Sequence, residues 1–213
     1  MTATPHPKRA CQLPRREGFS VTELLVAIGI CAVLAALILA GFGKVREMQR
    51  ATVCTGNLRQ LGVMIRVYMG DNSNRFPKGP DNSYVKWVQV LKAHEGLSDA
   101  QNSIFRCPAD TVQRSVAGSL RSYAVNAYLA PAKGGNRVAD PPHPSQFVML
   151  SERARPFSIV GRDESNDIWN IGDITPLHRN ATRANTLFLD GHVAMLQIKP
   201  AESGFQQKYI NPF

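Results

Sequence analysis

Residues 15 to 43 read Arg15-Arg16-Glu17-Gly18-Phe19-Ser20-Val21-Thr22-Glu23 and then LLVAIGICAVLAALILAGFG, twenty consecutive residues without a charge over 24 to 43. As a helix, twenty residues rise about 30 Å, the thickness of a bilayer's hydrocarbon core. The stretch is therefore expected to cross a membrane. Lys8, Arg9, Arg15 and Arg16 lie on its N-terminal side, so the positive-inside tendency puts Met1 in the cytoplasm and the bulk of the chain outside. Lys44 and Arg46 on the far side weaken that bias without reversing it. A cleavable secretory signal fits less well, because the apolar run is long and a cut after Ala40 would put Ile38 at the minus-three position.

The averages of the whole chain conceal this division. Its 213 residues are 44% hydrophobic and 19% charged, too apolar for a disordered chain and too few for more than one or two domains. The formal charge of +9 is partly a property of the first eighteen residues, where four cations face only Glu17. The remainder is ordinary soluble sequence with a moderate basic excess.

Glu23 is the anomaly of the anchor. A carboxylate entering lipid costs on the order of 2 to 3 kcal/mol near the helix centre, so this group is expected to have a cationic partner at similar depth. Upstream the chain offers Arg15 and Arg16, unless cleavage creates a new ammonium group. The run Arg15-Arg16-Glu17-Gly18 followed by Phe19-Ser20-Val21-Thr22-Glu23-Leu24-Leu25-Val26 resembles the class III leader and mature start of type IV pilins and type II secretion pseudopilins. That resemblance implies that a prepilin peptidase cuts between Gly18 and Phe19 and N-methylates Phe19. It also implies that Glu23 neutralises the Phe19 amine of a neighbouring subunit. A buried ion pair is weak evidence for stability, but it can fix register in a polymer.

No proline occurs between Pro14 and Pro77, so one helix is expected from about residue 20 to Met69, with Gly70-Asp71-Asn72 as its stop. Beyond the membrane the apolar pattern narrows to Leu58, Leu61, Ile65 and Tyr68, the stripe of a helix packed on a globular head. Gly41, Gly43, Gly56 and Gly62 each lower helix propensity by about 1 kcal/mol, making a bend near Gly41 to Gly43 plausible. Later punctuation by Pro, Gly, Asp and Asn marks the loops of a small α+β head, with a short amphipathic helix over Tyr84 to His94. Pro131 to Asn136 and Pro141 to Pro144 bracket an exposed connection. Phe147 to Leu150 reads as a buried strand. Asn185 to Leu189 and His192 to Leu196, joined by Asp190-Gly191, read as a hairpin with a two-residue type I′ turn.

Several of these stretches are also similar to the pseudopilin-like proteins abundant in planctomycetes and verrucomicrobia, described by a His and a downstream Asp-Gly pair. They are Cys54 to Leu61, Tyr68 to Pro77, Phe105-Arg106-Cys107-Pro108, Ser122 to Asn126, Glu152, and His178 to Val193. Eleven residues separate His178 from Asp190, a longer spacing than that pattern has, which implies an insertion around Asn180 to Arg183.

The chemistry-bearing residues are few. The four cysteines, at 11, 31, 54 and 107, contain no CxxC pair and so no zinc-site signature. Cys54 and Cys107 belong to the part expected outside, where either a disulfide between rod and head or two buried thiols is compatible with the sequence. His178, Asp190 and His192, with Asp173 nearby, could hold calcium or another divalent ion, and some pseudopilins bind calcium in this region. Asp190 is equally a turn residue and His192 an outward strand residue. Asp71-Asn72-Ser73-Asn74 lacks the Gly and Glu of a calcium loop and reads as a helix-ending turn. No GxSxG, HExxH, P-loop or GxGxxG motif is present, so no catalytic residue, enzyme activity or resident cofactor is expected. Arginines punctuate the rod and head with poorly interleaved aromatics, a pattern of solvated faces or filament contacts, and nucleic acid is not an expected partner.

The combined expectation is an α+β chain whose long N-terminal helix, anchor plus rod, packs on a small antiparallel β-sheet head, pilin-like by resemblance. Its divisions are a leader over 1–18, a transmembrane or filament-core helix over 19–43, an amphipathic helix half over 44–70 and a head over 71–213. The implied role is a structural subunit of a type II secretion pseudopilus or type IV pilus-like filament. The alternative is an anchored minor pilin or binding module recognising a secreted substrate, a polysaccharide or DNA. Implied partners are the prepilin peptidase, other pilin subunits and an inner-membrane assembly platform. The implied location is the inner membrane, single-pass, with the N-terminus cytoplasmic and the head periplasmic, then a periplasmic or surface filament.

Overall fold

A computed structural model describes residues 19–77, 87–112, 121–129, 141–154 and 174–198. Helix α1, Val21–Asp71, is 51 residues long. Its start follows from Ser20-Val21-Thr22-Glu23. The Ser20 amide donates to Glu23 Oε2 at 2.9 Å, and the Thr22 amide donates to Ser20 Oγ at 3.2 Å. Glu23 supplies its half of a capping box and Ser20 caps the N2 amide, which together satisfy amides left over by the first helical turn. Glu23 therefore has a local role that the membrane argument alone had not supplied.

At the other end the helix stops two residues later than expected. Gly70 and Asp71 remain helical, while Ser73 and Asn74 take left-handed backbone at φ 55° and 59°. The Asn74 amide donates back to Met69 O at 2.9 Å, so a Schellman-type cap on Ser73 and Asn74 ends the helix. No break occurs at Gly41 to Gly43, which are helical.

Two compact units divide the chain, Met1–Gly43 and Lys44–Phe213. In the first, the described part of the helix is apolar all round and buries none of its most hydrophobic window. Phe19 is 89% exposed and Leu39 71%. By length and composition this helix can cross a membrane.

The second unit is organised by the sequence stripe. Cys54, Leu58, Leu61 and Ile65 are fully buried, spaced four, three and four apart on one helical face, while Tyr68 is half-buried at its end. Burying the three aliphatic side chains contributes roughly 5 to 9 kcal/mol before entropy is counted. Against this face lies a four-stranded antiparallel sheet in sequential order: β1 (Tyr123–Val125), β2 (Val148–Glu152), β3 (Arg183–Phe188) and β4 (Val193–Gln197). Helix α2, Trp87–Glu95, adds Trp87 and Leu91 to the same core. Residues 84 to 86, where that helix was expected to begin, lie outside the described residues, as does the 131–136 connection.

Gly62 decides how closely helix and sheet approach. A Cβ there would meet Leu187 Cδ1 at 3.1 Å, so the small residue makes room for β3. Residues 184 to 188 of β3 are buried on both faces. Leu187 joins the core beneath α1, and Ala184 and Phe188 join a second apolar cluster with Ala124, Val148, Ile174 and Ile198.

The β3–β4 hairpin corrects one expectation. Its register pairs Leu187 with Val193, Phe188 and His192 continue it through a backbone bond of 2.9 Å, and the Gly191 amide donates to Phe188 O. That leaves three loop residues, Leu189 to Gly191. Only Gly191 has positive φ, at 91°, whereas a type I′ turn would require it of Asp190 too. A turn closed by a left-handed glycine is the usual three-residue solution. The Asp190 carboxylate supports it by accepting from the His192 amide at 3.0 Å.

Candidate functional site: a buried disulfide beside a histidine and a glutamate

Four segments distant in sequence meet beneath α1. Cys54 comes from the buried face of α1, Cys107 from the turn after the 3-10 segment Asp99–Phe105, Glu152 from the end of β2, and His178 from the approach to β3. Cys54 and Cys107 form a disulfide, with Cα atoms 5.1 Å apart and a sequence separation of 53. Asn57, one turn along α1 from Cys54, donates to Arg106 O at 3.0 Å and so ties the Cys107 segment to the helix.

His178 Nε2 lies 2.9 Å from Glu152 Oε1 and 3.5 Å from Cys107 Sγ. Asn185 completes the carboxylate's surroundings: its backbone amide donates to Glu152 Oε2 at 3.1 Å and its side-chain amide to Oε1 at 3.2 Å. The other end of Asn185 reaches α1, where the Thr55 hydroxyl lies 3.2 Å from Asn185 Oδ1. Cys54, Cys107 and Glu152 are fully buried, and His178 and Asn185 are 1% exposed.

The electrostatics follow from that burial. Desolvation pushes the Glu152 carboxyl above its ordinary range, while the hydrogen bond and charge of His178 and the two Asn185 bonds pull it partly back. Tyr123 is the direct cross-strand partner of Glu152. Burial first, and the Glu152 charge second, push its phenol upward, so it stays protonated. With Nε2 donating to Glu152, His178 Nδ1 is left buried without a hydrogen-bond partner.

A strained turn delivers His178. Arg179, Asn180 and Ala181 all have left-handed backbone, at φ 53°, 57° and 57°, a conformation costing about 1 to 2 kcal/mol at each residue that is not glycine. Reciprocal backbone bonds hold it, His178 N to Arg183 O at 2.9 Å and Arg183 N to His178 O at 3.0 Å. Asn180 and Ala181 fall within the Asn180 to Arg183 stretch where the long His178 to Asp190 spacing implied an insertion.

The expected divalent-ion trio is not assembled. His178 shares no hydrogen bond with Asp190 or His192, which pair with each other at 2.6 Å on the exposed hairpin tip. There the His192 ring stacks on Phe188 at 4.2 Å, and Arg66 of α1 covers Gly191. Partial burial raises the Asp190 carboxyl, but the His192 amide and ring, with Arg66, outweigh it and hold the group below its ordinary value. The donors that do converge among the described residues are Cys54, Cys107, Glu152 and His178, whose ligand atoms all lie within 4.8 Å of one another. No CxxC spacing announces them, because each comes from a different segment.

Sequence reading missed Asn185 and gave Glu152 no role. The signal for Asn185 was an amide inside a run of β-formers, where Asn is normally depleted. Of the expected processing and assembly residues, Gly18 lies outside the described residues, and Phe19 and Glu23 are exposed at the start of α1. Comparison with protein families, curated proteins and solved structures returns no match to this chain.

Proposed function

We propose that this chain is a structural subunit of a type II secretion pseudopilus or type IV pilus-like filament, cut after Gly18 and N-methylated at Phe19. The observation that carries the reading is the helix following the Arg15 to Glu23 motif. Its side chains are apolar on every face and exposed from Leu24 to Leu39. A helix hydrophobic all round requires lipid or other apolar helices around it. Lipid before assembly and neighbouring copies afterwards meet that requirement with little change in apolar burial. The Cys54–Cys107 disulfide fastens the head to the second half of the same helix.

Glu23 provides the test, because its two roles separate by substitution. A glutamine preserves the capping box, which accepts Glu or Gln, yet removes the charge available to a neighbour's amine. Glu23→Gln should insert, be processed to a Phe19 start by N-terminal mass spectrometry, and fail to enter filaments. Wild-type filament incorporation of that variant, or a membrane-extracted protein whose N-terminus is not methylated Phe19, overturns the proposal.

A further inference from the structure

The buried group beneath α1 has a composition that a disulfide alone does not call for. Two sulfurs, an imidazole and a carboxylate meet within 4.8 Å, which is the donor set of a tetrahedral zinc-type site. With sulfur and nitrogen bonds of the usual lengths, a tetrahedral ion separates S and N donors by about 3.5 Å and two sulfurs by about 3.8 Å. His178 Nε2 already stands 3.5 Å from Cys107 Sγ. The sulfur pair must spread when its bond opens, and Nε2 must part slightly from Glu152 Oε1, now 2.9 Å away.

We propose that the reduced chain binds one divalent zinc-type ion through Cys54, Cys107, Glu152 and His178, and that disulfide formation and metal binding are mutually exclusive states of this site. The inference is independent of the filament reading. In the reduced chain two thiols and the Glu152 carboxyl occupy space without solvent, where an uncompensated anion is costly. A divalent cation offsets two of the three negative charges that the thiolates and the carboxylate would otherwise bury. Asn185, bonded to both Glu152 oxygens, orients the carboxylate as an outer-shell partner. On binding, each thiol releases its proton to solvent and forms a sulfur–metal bond, and the His178 ring proton shifts from Nε2 to Nδ1 so that the Nε2 lone pair faces the ion. On oxidation by a disulfide-donating protein, the two protein thiolates lose two electrons and join. The donor's disulfide takes those electrons with two protons to become two thiols, and the ion leaves.

The test uses the full-length protein in detergent micelles, carrying Cys11→Ser and Cys31→Ser so that Cys54 and Cys107 are the sole thiols. It is reduced anaerobically with a trialkylphosphine, freed of phosphine and titrated with cobalt(II), and zinc stoichiometry is read by native mass spectrometry. The expected result is one ion per reduced chain, with the visible bands of tetrahedral cobalt and a thiolate charge-transfer band, and no such binding to the oxidised chain. His178→Ala and Glu152→Gln should each weaken binding by at least about tenfold, the lower end of what even outer-shell partners contribute. If the reduced apo-chain loses its fold by circular dichroism, stoichiometric zinc should restore it. Equal binding to oxidised and reduced chains, octahedral cobalt without a thiolate band, or a reduced chain that zinc neither binds nor refolds overturns the proposal.

Discussion

Removing the Cys54–Cys107 cross-link is the perturbation whose magnitude the structure fixes most directly. With the two cysteines 53 positions apart in sequence, the chain-entropy relation assigns the bond about 14 cal/mol/K, or about 4 kcal/mol at 25 °C. The affected unit runs from Lys44 to Phe213. At about 2.1 cal/mol/K of unfolding entropy per residue, that loss lowers the melting temperature by about 11 °C. The cleanest comparison is wild-type protein, oxidised against reduced, in detergent micelles with a chelator present, followed by near-ultraviolet circular dichroism. No atom other than hydrogen changes between those samples. Cys54→Ala combined with Cys107→Ala should fall further, because it also leaves two small cavities in a fully buried region. A shift below about 3 °C between oxidised and reduced wild type would show that the denatured chain gains little freedom from losing this link, and would refute the entropic account.

Gly56 and Gly62 occupy the same helix yet should respond in opposite senses. Gly56→Ala meets no atom within 4 Å and should stabilise by up to about 1 kcal/mol through helix propensity, whereas Gly62→Val presses on Leu187 and should cost about 1 to 3 kcal/mol. Chemical denaturation of both variants checks the pair, and a stable Gly62→Val would sink the close-packing argument. Gly191→Ala places a Cβ on the Arg66 guanidinium and on a backbone at φ 91°. It should destabilise by about 1 to 3 kcal/mol, and Arg66→Ala should recover only the part due to the clash in a double-mutant cycle. Because the folded-state pKa of Glu152 lies above its ordinary value of 4.5, the folded chain holds the proton more tightly than the unfolded chain. Stability from this group is therefore complete below about pH 4.5 and declines as pH rises toward the folded value. Glu152→Gln should flatten that decline in oxidised protein, and a wild-type-minus-variant difference independent of pH would contradict the burial argument.

Much of the architecture was legible because it rests on local pattern. The uncharged 24 to 43 run is identified by its length, the 58-61-65 stripe by its helical spacing, and the apolar Phe147 to Leu150 segment by its shortness. Turn details were less legible. Asp190-Gly191 has the composition of a type I′ turn, but pairing continued to Phe188 and His192 and left an odd-numbered loop, so Gly191 alone took the left-handed position. Gly70 likewise had the composition of a cap, but the helix ran past it to Asp71 and the cap fell on Ser73 and Asn74.

The buried site was the least legible part. Sequence spacing carries metal or redox information only when ligands are near neighbours, as in CxxC, and here Cys54, Cys107, Glu152 and His178 come from four separate segments. The order of residues by itself determined a long helix, apolar all round at its start and amphipathic beyond, followed by a small head of helices and strands. Those properties arise from interactions within one or two turns or between adjacent residues. Tertiary structure decided that α1 would press on β3 at Gly62, that the cysteines would bond, and that a desolvated carboxylate would face an imidazole beside them. Those outcomes depend on which distant surfaces exclude water together, and no local pattern encodes that.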